Sequence, residues 1–133
     1  MNHGSGRILL VDDDPSLLKM MGVYLGRLGY SVTLANSTEK AWAEVEAAPS
    51  GYAIAVLDGS MPGLSMEDLA LKMLRANPSL CVVAASGYFM DTAAVEAAAP
   101  GRVTVLQKPF TPEMLAAAVR KLLGTETEDI CAG

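Results

Sequence analysis

Five short apolar runs, each followed by a stretch whose apolar residues recur at helical spacing, set the strongest limit on how this chain can fold. The runs are Ile8 to Val11, Ser31 to Ala35, Ala53 to Leu57, Leu80 to Ala85 and Val103 to Leu106. Strand and helix alternating five times demand a parallel sheet, because each crossover helix returns the chain to start the next strand in the same direction. The first, third and fourth runs are continuously apolar, as strands buried on both faces are. The second and fifth mix in Ser or Thr and read as edge strands. Val32 and Leu34 alternate with Ser31 and Thr33 in one, and Val103 and Val105 with Thr104 in the other.

With those two at the edges the strand order is 2-1-3-4-5, a five-stranded α/β sheet of doubly wound, flavodoxin-like (βα)5 form with helices on both faces. The intervening helices have legible ends. Asp14 and Pro15 open the first, Leu17, Met21, Leu25 and Leu28 form its stripe, and Gly29 closes it. Asn36 with Glu39 suggests a capping box for the second, which runs through Trp42 and Val45 to about Ala48, with Trp42 as a packing residue. Ser65 and Asp68 start the third, which carries Met66, Leu69 and Met73 and ends before Pro78. The fourth, alanine-rich from Asp91 to Ala99, has little large apolar surface and should be the least firmly packed. Thr111 caps the fifth, with Pro112 in its first turn, Leu115, Val119 and Leu122 along one face, and Gly124 past its end. The folded domain is expected over residues 8 to 124, with flexible tails at 1 to 7 and 125 to 133.

At 133 residues and 51% hydrophobic composition the chain can fill one core and no second one. Ten basic residues against 15 acidic ones give a net charge of −5, and the basic residues are scattered, which disfavours direct nucleic-acid binding. No apolar run reaches membrane-spanning length, the polar start lacks the core of a signal peptide, and Cys81 and Cys131 stand far apart. A cytoplasmic protein is expected.

What the alternation leaves unexplained is the chemistry at the strand ends. The first strand runs into Asp12, Asp13 and Asp14, and the third ends in Asp58 followed by the small-residue turn Gly59 to Gly63. In a doubly wound sheet of this order the ligand crevice lies between strands one and three at their carboxyl ends. Like charges gathered there repel one another unless something positive joins them, and a hard divalent cation such as Mg²⁺, with its oxygen ligands and retained waters, meets that need. Lys108 after the fifth strand adds a second positive charge, and Ser86 after the fourth adds a hydroxyl donor. Carboxylate, metal, lysine and hydroxyl around one oxygen make a phosphoryl-transfer site with Asp58 as its reactive group.

In their order along the chain, ILLVDDDPS, VLDGSMPG, VVAASGY and VLQKPF resemble the motifs of receiver domains of two-component response regulators, over about residues 8 to 124. The resemblance implies that Asp58 accepts a phosphoryl group from a phosphohistidine of a histidine kinase or histidine phosphotransfer protein. It implies that Asp12, Asp13 and Asp58 hold Mg²⁺ or Mn²⁺ with the Ser60 backbone carbonyl as a further ligand. Lys108 would pair with the phosphoryl oxygens or, before phosphorylation, with Asp58, and Ser86 would swing inward to the phosphate. The Lys108–Pro109 peptide would be cis. No catalysis is implied beyond the domain's own phosphorylation and dephosphorylation. Also implied are a homodimer through the helix 4, strand 5 and helix 5 face and, as one parent chain, a hybrid histidine kinase. Two departures from the family pattern stand out. Val105 occupies the position where many receivers carry a switching Tyr or Phe, which makes Tyr88 a candidate for that part. Ser60 and Gly87, small residues at positions that tune dephosphorylation, suggest a short-lived phosphoryl group.

Two alternatives use the same residues. Asp12, Asp14 and Ser16 also fit the DxDx(T/S) pattern of haloacid-dehalogenase-type phosphatases, with Asp12 as nucleophile and Ser86 and Lys108 as later motifs, although only Glu113 is left to supply the further metal acid. A receiver-like module that binds partners without being phosphorylated is the other.

Overall fold

The computed structural model describes residues 7–59, 61, 63–87 and 91–123. In chain order these form β1 (Arg7–Val11), α1 (Pro15–Arg27), β2 (Ser31–Ala35), α2 (Thr38–Ala47), β3 (Tyr52–Asp58), α3 (Met66–Ala76), β4 (Cys81–Ser86), α4 (Ala93–Ala98), β5 (Val103–Gln107) and α5 (Pro112–Leu123). The strands make one parallel sheet in the order β2-β1-β3-β4-β5. The expectations placed on residues 1 to 6, Ser60, Tyr88 and 124 to 133 lie outside the described residues.

Strand residues alternate between two cores, as the pleat requires. Leu9, Val11, Ala55, Leu57, Val82 and Ala84 bury against α2, α3 and α4. Ile8, Leu10, Ile54, Val56, Cys81 and Val83 bury against α1 and α5. Because both faces of β1, β3 and β4 are covered, no polar side chain is tolerated along their middles, and polar groups collect where the strands end.

Several local expectations are corrected. Arg7 belongs to β1 and not to a tail: its guanidinium donates to Thr33 Oγ1 (3.2 Å) and lies 4.7 Å from the centre of the Tyr52 ring. The buried stripe of α1 is Leu18, Met21 and Leu25. Leu17 is only partly buried, and Leu28, at the C-cap beyond the last helical turn, is 48% exposed. Ser37 and not Asn36 caps α2, since its backbone is extended and its Oγ accepts the Lys40 N–H at 3.1 Å. Glu39 then falls in the first turn, where it favours the helix dipole without closing a box. On edge strand β2, Val32 packs inward while Leu34 lies along Gly22 of α1 and stays 45% exposed. β4 runs one residue later than expected, so that Ser86 still pairs with Gln107. α4 is only six residues long and buries one side chain, Val95; Thr92 at its start bonds Glu96 (2.9 Å) instead of a backbone amide.

The loop after β3 is pinned to the start of α2. Gly63 has φ +94°, and a Cβ there would meet Thr38 Oγ1 at 2.9 Å. Gly63→Ala should therefore destabilise the domain by about 1–3 kcal/mol in urea unfolding. Gly26→Ala, at a helical position with nothing within 4 Å of the added Cβ, should stabilise it by about 0.5–1 kcal/mol.

Candidate functional site

Sheet register builds the crevice. Val11 stands level with Leu57, so Asp12, the next residue of the chain after β1, leaves the sheet beside Asp58, the last residue of β3. The Asp12 N–H still reaches Ala35 O of β2 (3.2 Å), the Gly59 N–H reaches Ala85 O (2.7 Å), and the Lys108 N–H reaches Ser86 O (2.7 Å). The ladder thus continues one step past the strands and lines up their ends in one row. Asp12 (3% exposed), Asp58 (5%) and Ser86 (1%) are buried.

Three carboxylates meet in this row. One oxygen from each of Asp12, Asp13 and Asp58 lies within 4.8 Å of the other two, with Asp13 the exposed member. The Lys108 ammonium bridges the buried pair, 3.1 Å from Asp12 Oδ2 and 3.4 Å from Asp58 Oδ1. The pairing of Lys108 with Asp58 that the resemblance implies is present, and the shorter contact is to Asp12. Gly87 follows Ser86 with open space where a Cβ would stand, and Val105 is 47% exposed on β5.

Electrostatics follow from this geometry. Burial pushes the Asp12 carboxyl above its ordinary value, and the charge of Asp58 adds to that, outweighing the Asp14 amide and Lys108, which act the other way. Burial alone would lower the Lys108 ammonium, but its bond to Asp12 and the charges of Asp12 and Asp58 more than reverse this, so its pKa is raised. Among the described residues, the Lys108 ammonium pairs with two of the three clustered acids. The donor set is all hard oxygen, with no imidazole or thiolate among the three, and it fits Mg²⁺ or Mn²⁺ better than a softer metal.

Two features escaped the sequence. Asp14, read there only as a helix cap and as an acid of the phosphatase pattern, also donates its backbone N–H to Asp12 Oδ1 at 2.9 Å. Beside the acids a cavity of about 410 Å³ is lined by Asp14, Leu17, Lys108, Pro109 and Phe110. The DDDP run hinted at the first, while nothing in the sequence signalled the second, which depends on α1 and the β5–α5 loop meeting in space. The Asp14 carboxylate is taken up by the Ser16 and Leu17 amides, and Glu113 is not a member of the acid cluster. Neither is arranged as the phosphatase alternative requires. The Lys108–Pro109 peptide is cis, as the family resemblance implied.

Fold and crevice together define a doubly wound α/β domain whose switch-point pocket is an acid cluster closed by one lysine. The family profile of the response regulator receiver domain matches residues 8–120. The transcriptional regulatory protein YkoG of Bacillus subtilis (strain 168) is 33% identical over 129 residues, which cover 94% of this chain and 55% of YkoG. ZraR of Escherichia coli (strain K12), also a transcriptional regulatory protein, is 34% identical over 125 residues, covering 92% of this chain and 27% of ZraR. The chain therefore spans about half or less of the length of these relatives. Among solved structures, a receiver domain protein from Clostridium thermocellum superposes with a TM-score of 0.79 at 22% identity, covering 92% of this chain and 97% of that one. The response regulator TrrA of Thermotoga maritima, solved in complex with Mg(2+)-BeF, gives a TM-score of 0.74 at 25% identity, covering 88% and 98%. The chain belongs to the response regulator receiver family and is a receiver domain of two-component signal transduction. Among the described residues no helix is long and apolar enough to cross a membrane.

The raised Asp12 pKa has a stability consequence. A folded state that binds this proton more tightly than the unfolded state loses stability as pH rises through the window between 3.8 and the higher folded value, and stays reduced above it. In chelator at neutral pH, Asp12→Asn should therefore melt a few degrees above wild type, the scale of ~1 kcal/mol in a domain of this size. The advantage should vanish as pH falls through that window in thermal melts.

Proposed function

We propose that this domain accepts a phosphoryl group on Asp58 from a phosphohistidine of a histidine kinase or histidine phosphotransfer protein, and that the charged crevice then changes which partner the domain holds. The observation that carries this reading is the Lys108 ammonium spanning Asp12 and Asp58 inside a cluster of three carboxylates. In the transfer, an Asp58 carboxylate oxygen attacks phosphorus while the P–N bond breaks and its electron pair stays on the imidazole.

Asp12, Asp13 and Asp58 would hold Mg²⁺ or Mn²⁺, with the Ser60 backbone carbonyl as a further ligand; Ser60 is outside the described residues. Bound there, the ion supplies positive charge against the phosphoryl oxygens. The neighbour TrrA, solved with Mg(2+)-BeF, supports this assignment. Lys108, anchored on Asp12 at 3.1 Å, stays in place while Asp58 reacts and meets a phosphoryl oxygen there. Ser86, at the end of β4, supplies a hydroxyl to the same group, and its movement draws in the loop that leads to the short α4. With Gly87 open beside it, water reaches the acyl phosphate and the signal is brief.

The relatives are transcriptional regulators longer than this chain, which favours a parent protein with a DNA-binding output over a hybrid kinase. Val105, exposed on β5, suits the α4–β5–α5 face to pairing with a second copy.

Incubation with Mg²⁺ and a small acyl phosphate, read by intact mass, should add one phosphoryl group to wild type and none to Asp58→Asn. Lys108→Ala should slow labelling by about 10²-fold. Label retained in Asp58→Asn but lost in Asp12→Asn would revive the phosphatase reading, and no label on wild type would leave a binding module. Mg²⁺ at about 100 times its Kd should raise stability by ~2.7 kcal/mol in thermal or urea unfolding, and Asp13→Asn should remove most of that gain.

A further inference from the structure

We propose that Asp14 is a positioning residue for Asp12, transmitting the rigidity of helix α1 to the acid cluster; this rests on reading the crevice as an Mg²⁺-holding phosphoryl site. Asp14 is anchored at two points. Its Oδ1 accepts the N–H groups of Ser16 (3.1 Å) and Leu17 (3.3 Å), fastening it to the first turn of α1. Its own N–H donates to Asp12 Oδ1 at 2.9 Å. Pro15, next in the chain, brings no N–H and a fixed φ, so the turn offers the cap only the two amides it already holds.

The consequence is a division of labour on Asp12. Oδ1 is held by the Asp14 amide and Oδ2 faces Lys108 at 3.1 Å, which fixes the carboxylate plane in both directions. α1 is itself immobilised by Leu18, Met21 and Leu25 in the core. Core packing therefore reaches a metal-ligand carboxylate through one side-chain cap and one backbone amide. Without the cap, residue 14 regains its backbone freedom and Asp12 Oδ1 loses an aligned donor. Groups that orient ligands without touching the metal ordinarily affect its affinity about ten-fold or more. Because the Asp14 carboxylate is turned onto helix amides, its geometry matters here and its charge does not. An Asn at this position caps as well as Asp.

Mg²⁺ titration of the full chain by calorimetry tests this. Asp14→Ala should weaken Mg²⁺ binding about ten-fold, while Asp14→Asn should bind as wild type does. Ser65→Ala, which removes the cap of α3 where Ser65 Oγ accepts the Asp68 N–H at 3.1 Å, should lower the melting temperature comparably and leave the affinity unchanged. If Asp14→Ala does not fold, Asp14→Gly, tolerated at N-caps without a side-chain acceptor, carries the same expectation. Wild-type affinity in Asp14→Ala overturns the proposal. So does Asp14→Asn binding as weakly as Asp14→Ala, which would assign the effect to charge, or Ser65→Ala weakening binding equally, which would assign it to general loosening. Wild type that takes no Mg²⁺ removes the reading of the crevice and this proposal with it.

Discussion

Like-charge repulsion at the end of the sheet is the constraint on which the rest of this structure depends. Asp12 and Asp58 are buried side by side, with Asp13 beside them, because adjacent strands in fixed register leave them no other place. Moving one carboxylate away would slip a strand, and a one-residue slip would turn every buried Leu, Ile and Val of that strand to the opposite face. The packing of two cores therefore enforces an electrostatic arrangement that the acids alone would avoid. Lys108 offsets part of the repulsion by sitting between two of them. Burial, and after it the Asp58 charge, still leave Asp12 holding its proton more tightly than usual.

Such a cluster of acids makes the charge of the pocket sensitive to what enters it. A cation would offset the repulsion among the acids and a phosphoryl group would add to the negative charge, so the charge of the crevice would change when either arrived. The elements that would feel the change differ in how firmly they are held. β1, β3 and β4 are covered on both faces, while α4 buries a single side chain and follows Ser86 closely in the chain. The stable part of the domain holds the acids in place, and the marginal part lies where a response can occur.

The sequence made much of this legible, for identifiable reasons. Continuous apolar runs in β1, β3 and β4 can only be strands covered on both faces, so the strand order followed from which runs carried Ser or Thr. Asp12, Asp58 and Lys108 could be grouped because a doubly wound sheet sends every strand end to one edge. The misreadings share a cause. Asn36 and Ser37 are both competent caps, and which one takes the extended backbone is decided by how α2 meets β2 and the Gly63 loop. Leu17 and Leu18 both fit a helical stripe, and only the rotation of α1 against the sheet selects Leu18.

Hydrophobic periodicity and the identity of the residues at strand ends thus determined the fold class, the strand order and the roster of acids, because these depend on local pattern and on a topology with few alternatives. Tertiary structure alone decided that Lys108 bridges Asp12 as well as Asp58 and that Leu17 and Phe110 line one cavity. Those are distances of a few ångströms between residues up to 96 positions apart in the chain. They are set by how whole helices rotate and settle on the sheet, which no short window of sequence encodes.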